Sequence, residues 1–259
     1  MAKIVLISAA GAGRRFQEAG LPIPKPLIVA RGQTLLEHTL RCFHFADVDH
    51  LILAVQRQHG VRERLETKLQ NLFPQLNIHW FELEQLLPGQ LATTKVALEA
   101  ILQNTDIDPS LPLLVHNCDT GFQWQPELAS IKGFASMAVF PAEGTHWSFG
   151  QPDPQDSQQA IAIAEKRRIS DLASIGLYGF STAKSFLNEA NNSLNSGDTL
   201  RGEHYIAPML QKALIQGMKV SLPMVDGVKI YGTPEELYQC FNLNFESLKA
   251  ENGLPSSSH

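Results

Sequence analysis

A mostly parallel α/β sheet covered on both faces is the fold this sequence predicts, and three observations predict it. Strand-like apolar runs alternate with helical patterns through the first half of the 259 residues, the order of strand-crossover-strand units. The first run, residues 3–8, empties into a loop of small residues, Ala9-Ala10-Gly11-Ala12-Gly13, where backbone can approach a ligand closely. The second half changes character and offers consecutive strand-like runs at 135–141, 145–150, 160–164 and 173–180, so the sheet is expected to be mixed.

The elements follow in order. After the loop the chain runs through Pro22, Pro24 and Pro26, which cannot sit inside a helix. Thr34 and Glu37 then form the capping box of a helix over 35–43. Residues 51–55 read as a buried strand, 61–72 as a helix and 78–83 as another strand. From 90 to 103, Leu91, Leu98 and Leu102 share one helical face, and 111–115 returns as a strand with Pro112 near its start. A turn-rich stretch at 151–156 separates two of the later strands. Helices at 205–216 and 234–248 flank a short strand at 220–224, and no internal repeat is present. The expected organisation is one domain over 1–251, in two halves that meet at about residues 132–133, followed by a frayed tail over 252–259.

Composition narrows the function classes. A net charge of −5 argues against nucleic-acid binding by bulk electrostatics, so any phosphate ligand must be held by local cations. No apolar run approaches the roughly 20 residues of a membrane span, and residues 1–3 lead directly into a strand with no signal-peptide pattern. Cys42, Cys118 and Cys240 are widely spaced, which suits reduced thiols in a cytoplasm and not a zinc site. The nine histidines show no metal-ligand spacing.

The loop after the first strand carries Arg14 and Arg15, and Lys25 stands between Pro24 and Pro26. A dinucleotide fingerprint would want a third small residue where Phe16 stands, with a helix starting at once; a P-loop would need Gly-Lys-Ser/Thr. An ordinary turn with solvated arginines explains Gly-Ala-Gly alone. It does not explain a lysine on a preset backbone, which suggests a positioned charge gripping a polyphosphate. His116-Asn117-Cys118-Asp119-Thr120-Gly121 follows the strand at 111–115. It reads either as a turn bonded to its own backbone or as a carboxylate placed to hold a hard cation. Gly11 and Asp119 both fall at carboxyl ends of strands, where ligands sit in such sheets. Ahead of the helix at 90–103, Gly89 offers bare backbone for a flat base and Gln90 an amide for its edges, or the pair is a plain helix start.

Taken together, the Gly-rich loop ending in arginine and the downstream Pro-Lys-Pro-Leu resemble the sugar-phosphate nucleotidyltransferases, or nucleotide-sugar pyrophosphorylases. Arg15 aligns with the family's arginine and Arg14 replaces its usual threonine. The series His146-Trp147-Ser148-Phe149, Glu165 to Ser170, Gly176 to Phe180 and Gly202 to Pro208 looks like a branch found among surface-polysaccharide biosynthesis proteins, and the resemblance spans residues 4 to 237.

The resemblance implies a three-layer Rossmann-like mixed sheet of the nucleotide-diphospho-sugar transferase, GT-A-like kind. It further implies Mg²⁺-dependent transfer of a nucleotidyl group from a nucleoside triphosphate to a small phosphorylated acceptor, with release of pyrophosphate, the half to about residue 132 being the nucleotide-binding half and about 133–251 the acceptor-binding half. Ala10, Gly11, Ala12, Gly13, Arg14, Gly89 and Gln90 are then expected on the nucleotide, Arg15, Lys25 and Lys166 on the transferring phosphates, and Asp119 on the metal. Glu165, Lys166, Gly176 and Glu203 fall on the acceptor side, the lysine meeting a phosphate and Glu165 a sugar hydroxyl; by spacing alone Glu165-Lys166 is only a surface pair.

One departure stands out. The family's second metal aspartate corresponds to Ile230 in Val228-Lys229-Ile230-Tyr231-Gly232-Thr233-Pro234, leaving Asp226, four residues earlier, as the substitute on a shared strand face. Two other readings therefore stay open: a GT-A-type glycosyltransferase using a nucleotide sugar, and a nucleotide-binding regulatory protein without chemistry. The expected setting is cytoplasmic, without nucleic-acid or membrane partners; a homo-oligomer is compatible with the sequence.

Overall fold

The computed structural model describes residues 4–255. The first residue of the expected opening strand, and the stretch read as lacking a leader, lie outside them. In chain order the elements are β1 (Ile4–Ser8), α1 (Arg14–Glu18), β2 (Val29–Ala30), β3 (Gln33–Thr34), α2 (Leu35–Leu40), β4 (His50–Gln56), α3 (Val61–Leu72), β5 (Asn77–Leu83) and α4 (Gln90–Gln103). Then come β6 (Leu113–Asn117), β7 (Thr120–Gly121), β8 (Ala135–Pro141), β9 (Ser148–Pro152), β10 (Ala160–Glu165), β11 (Leu172–Phe180) and α5 (Ala183–Asn195). The chain closes with α6 (Ile206–Ile215), β12 (Val220–Ser221), β13 (Lys229–Ile230), α7 (Pro234–Phe241) and α8 (Phe245–Glu251).

One nine-stranded sheet runs through both halves of the chain in the order β10-β9-β11-β6-β1-β4-β5, with β8 against β11 and β12 against β8. β5, β4, β1 and β6 are parallel neighbours, whereas β11 joins β6 antiparallel. The mixed α/β architecture is as expected. Strand order reverses at β1, whose neighbours β4 and β6 both follow it in sequence, and Ser8 at its end lies level with Asn117 at the end of β6. The loops leaving these two strands therefore open into one crevice, the place where such sheets bind ligands.

The period of two along β1 explains the layers. Ile4 and Leu6 point into a core shared with α4, α5 and α6, while Val5 and Ile7 point into a second core with α2 and α3. All four are fully buried, each stabilising by roughly 1.5–3 kcal/mol. A third, smaller cluster joins Phe16, Leu21, Ile28 and Leu35 to Tyr231, Leu237 and Leu248. It fixes the C-terminal helices beside the residues that follow the Gly-rich loop.

Several local expectations differ from the structure. A short helix, α1, does begin at once after Gly13 and ends before the prolines; Gly13 reaches it through φ 65°, which a residue with a Cβ rarely adopts. Helix α5 fills a stretch left unassigned; Thr182 and Ser185 cap each other's backbone, and Phe186 and Ala190 bury one face. The helix expected over 234–248 is two, parted by Asn242 in the left-handed region, which asparagine tolerates. The tail does not fray from residue 252, since Asn252 brackets Val29, accepting from its N–H and donating to its carbonyl at 2.8 Å each, and Leu254 packs on the third cluster.

Candidate active site

The crevice at the carboxyl ends of β1 and β6 is a cleft of about 580 Å³. Its floor is the Gly-rich loop. Ala9 N–H donates to Ala54 O at 2.9 Å and the buried Gln56 side chain donates to Ala10 O at 2.6 Å, so β4 holds the loop's first turn. A Cβ at Gly11 would meet nothing within 4 Å, which leaves its backbone bare toward the cleft. Ala10, Gly11, Ala12, Arg14 and Arg15 line it. Both arginines are exposed, and among the described residues neither forms an ion pair. Gly13 sits behind, with its Cβ position 3.6 Å from Lys25 Cβ.

Lys25 occupies a tight turn between its two prolines and aims Nζ at Asp119 Oδ2, 2.5 Å away. Burial by itself would raise the Asp119 carboxyl, but the Lys25 charge and hydrogen bond, with His116 and Arg15, hold it below the ordinary range. His116 is fully buried beneath, its Nε2–H donating to Thr120 O at 2.8 Å, which fixes the turn that presents Asp119. Desolvation keeps that imidazole's pKa low.

Across the cleft stands a wall from β9, β10, β11 and the loop before α6. Glu165 accepts from the Ser148 hydroxyl, and burial raises its carboxyl despite that bond and the Lys166 charge. Lys166 adopts φ 52°, a conformation costing a non-glycine residue of order 1–3 kcal/mol. It places Nζ on the Tyr205 hydroxyl and 4.3 Å from that ring's centre. Tyr205 in turn donates to Glu203. Gly176 marks a bulge in β11, with φ 78°, and the Asn117 amide lies 2.6 Å from where its Cβ would be.

Gly89 lines the cleft, but its lack of a side chain has a different cause from the one expected. A Cβ there would stand 2.5 Å from His204 O, so the glycine lets the start of α4 cross the backbone that carries Glu203 and Tyr205. Gln90 keeps the expected role open, because its Nε2 is buried without a hydrogen-bond partner among the described residues, as is Asn117 Oδ1. Each unsatisfied group costs about 1–3 kcal/mol, which a ligand's complementary atom would offset.

The structure thus gathers Ala10, Gly11, Ala12, Arg14, Arg15, Gly89, Gln90, Asp119, Glu165, Lys166, Gly176 and Glu203 around one cleft, with Lys25 bonded to its edge. It does not bring in Asp226. That residue is exposed, accepts from Gln125 Nε2 at 2.9 Å and does not line the cleft. Gly227, at φ 62°, turns the chain after it, so Asp226 and Ile230 do not share a strand face. Among the lining side chains given no site role from the sequence are Asn117, Tyr205 and Glu236. Tyr205 lay within the Gly202 to Pro208 series, and Glu236 is the third helical position of a Thr-x-x-Glu capping box at Thr233, a signal present in the sequence.

A Gly-rich loop with two exposed arginines at the switch point, a lysine-aspartate pair beside it and a second lysine opposite thus share one cleft of an α/β sheet. Residues 5–173 match the MobA-like NTP transferase domain, and the chain belongs to that family of nucleotidyltransferases. A nucleoside-diphosphate-sugar pyrophosphorylase from Vibrio cholerae RC9 is similar over 92% of this chain and 99% of its own, with 29% identity and a TM-score of 0.81. Two further structures share the fold at 15% identity. A UDP-glucose pyrophosphorylase complexed with UDP-glucose covers 93% of this chain and 98% of its own at TM-score 0.72. The inositol-1-phosphate CTP transferase from T. maritima covers 98% of each at 0.68. No curated protein matches the sequence. Among the described residues no helix is long and apolar enough to cross a membrane.

Proposed function

We propose that the protein transfers a nucleotidyl group from a nucleoside triphosphate to a sugar phosphate or a similar small phosphorylated acceptor, releasing pyrophosphate. The observation that carries this is the placing of two cationic stations on opposite walls of one cleft: Arg14, Arg15 and Lys25 around the bare loop, and Lys166 facing them. The Vibrio cholerae relative's description as a nucleoside-diphosphate-sugar pyrophosphorylase supports a sugar phosphate as the acceptor.

In this reading an acceptor phosphate oxygen attacks the α-phosphorus in line while the bond to the β-phosphate oxygen breaks. The acceptor's second pKa is about 6, so its oxygen is already ionised at neutral pH and needs no general base. Catalysis is then positioning and charge neutralisation. The loop's backbone and Arg15 hold the triphosphate, Lys25 meets the charge that moves onto the leaving pyrophosphate, and Lys166 brings the acceptor phosphate into line. Gln90 and Gly89 sit where the base would lie. Glu165 and Glu203 take hydroxyls of the acceptor, and Gly176 and Asn117 shape the space between.

Among the described residues no group of three or more His, Cys, Asp or Glu could hold a metal ion, so a divalent cation here needs phosphate oxygens beside Asp119. The donor set fits Mg²⁺: hard carboxylate oxygen, with the Lys25 ammonium already resting on Asp119 Oδ2 as a cation would. Bound there, Mg²⁺ would neutralise triphosphate charge.

The test is pyrophosphate release by the purified protein against the common nucleoside triphosphates and a panel of sugar and polyol phosphates. Release that requires both substrates supports the reading. Nucleotide binding with no release for any acceptor would favour the regulatory alternative, and release of a nucleoside diphosphate from a nucleotide sugar would favour a glycosyltransferase.

A further inference from the structure

The position where the resemblance puts a second metal aspartate is Ile230, which lines the cleft and has no oxygen to offer. Two residues further on, the chain passes Gly232. A Cβ there would lie 3.2 Å from Asp119 Oδ2 and 3.3 Å from Glu236 Oε2. Two carboxylates from separate elements, one after β6 and one in the first turn of α7, therefore reach the same side of one glycine. The gap between them exists because position 232 has no side chain.

Both placements have local causes. Tyr231 N–H donates to Asp119 O at 3.0 Å and β13 pairs with β7, so the chain carrying Gly232 is bonded to Asp119 itself. Helical side chains tilt toward the N-terminus, which folds Glu236 back over Gly232 and Thr233. There its Oε2 accepts the Thr233 N–H at 2.9 Å as part of the capping box. Oε1 accepts no hydrogen bond among the described residues. A cation already marks the place, since Lys25 Nζ sits 2.5 Å from the Asp119 oxygen that faces the gap.

We propose that Glu236 supplies the second carboxylate of the divalent-cation site, doing from the first turn of α7 what Ile230 cannot do from β13. The ligand class is a hard divalent cation, Mg²⁺ or Mn²⁺, which takes one or two carboxylates together with phosphate oxygens and keeps waters for the rest. The inference rests on the nucleotidyltransferase reading, and it assigns α7 a place in the site. Ile230 then marks a relocated ligand and not a lost activity.

Mn²⁺ binding to the protein in the presence of a nucleoside triphosphate (ATP, CTP, GTP or UTP) and no acceptor, read as enhancement of water-proton relaxation over that of the Mn²⁺–nucleotide complex, tests this without turnover. Glu236→Gln keeps a side chain able to cap Thr233 and removes the charge, so its melting temperature should match the parent's. Its Mn²⁺ affinity should fall at least about tenfold, the lower end of what losing even an outer-shell partner costs. Asp119→Asn should fall as far, and the double variant should add little because both serve one ion. Gly232→Ala gives a second route: its backbone lies outside the left-handed region, so the methyl should enter the gap, push the two carboxylates apart slightly and weaken Mn²⁺ binding with both still present. A parent that takes up no Mn²⁺, or one that Glu236→Gln matches in affinity, would overturn the proposal. Pyrophosphate release by that same parent in Mg²⁺ would then tell whether only the assignment of Glu236 fails or the transferase reading fails with it.

Discussion

The two walls of the cleft are built on opposite plans. On the β1 side most groups that would meet a triphosphate are open, with bare backbone at Gly11 and two exposed arginines without an ion pair among the described residues, and only Lys25 of that set is already bonded, to Asp119. On the β10 side each polar group is already spoken for, with Ser148 on Glu165, Lys166 on Tyr205 and Tyr205 on Glu203. The first wall is waiting for charge; the second is held in a set geometry by bonds among its own side chains. That difference suits a site that grips any triphosphate strongly and selects its acceptor by geometry, because a polar group deprived of its partner on binding costs more than a matched one gains.

The comparison breaks most visibly at Lys25. Lys25→Ala should lower kcat by on the order of 100-fold or more, the scale of losing one preorganised donor. The Lys25 and Asp119 side chains are 15% and 26% exposed, so the melting temperature should drop only modestly. Steady-state pyrophosphate release together with thermal denaturation checks both halves; near-parent turnover would remove the phosphate grip from this wall.

A smaller loss should follow on the other wall. Tyr205→Phe takes away the hydroxyl that links Lys166 to Glu203 while leaving the ring under the ammonium. The expected result is about a tenfold rise in acceptor KM, one charge-assisted hydrogen bond at 1.4 kcal/mol per factor of ten, with the nucleotide KM unchanged. A rise in both would mean the two walls are not separate stations.

Gly176→Ala should destabilise the fold by about 1–3 kcal/mol, since φ 78° and the Asn117 amide 2.6 Å from the new methyl both oppose it. Chemical denaturation reads this directly. The smallest effect concerns pH. Burial first of all raises the Glu165 carboxyl, so in the folded protein its ionised form is disfavoured relative to the unfolded chain. That term favours the fold below the ordinary value of 4.5 and is lost as pH rises through the raised folded value. Glu165→Gln should therefore be as stable as the parent or slightly more so at neutral pH while binding acceptor more weakly, the gap in melting temperature closing in acid. A variant less stable than the parent at neutral pH would contradict the raised pKa.

How much of this was legible beforehand follows the range over which each feature is encoded. The Thr34-Glu37 capping box, the apolar runs of β1, β4 and β6, and the small-residue loop at 9–13 are local, and their patterns survive folding. The Lys25–Asp119 bond joins residues 94 apart and depends on β6 lying next to β1, so no local pattern encodes it. Helix α5 was missed because Asn188, Asn191 and Asn192 are poor helix formers and its stability comes from burying Phe186 and Ala190. Asp226 misled because the period-two argument assumed a continuous strand, which the turn at Gly227 interrupts. Gly89 lines the cleft, and the backbone of His204, 115 residues away, is what forbids a side chain there.

In the proposed reaction these two walls bring a triphosphate and a phosphate monoester together for one in-line displacement. Phosphorus NMR of a reaction mixture in Mg²⁺, with the triphosphate and acceptor that release most pyrophosphate, tests it most directly. The account predicts a new pair of coupled diphosphate-ester resonances growing in step with pyrophosphate while the monoester signal declines. Pyrophosphate or orthophosphate appearing with the monoester signal unchanged would contradict it.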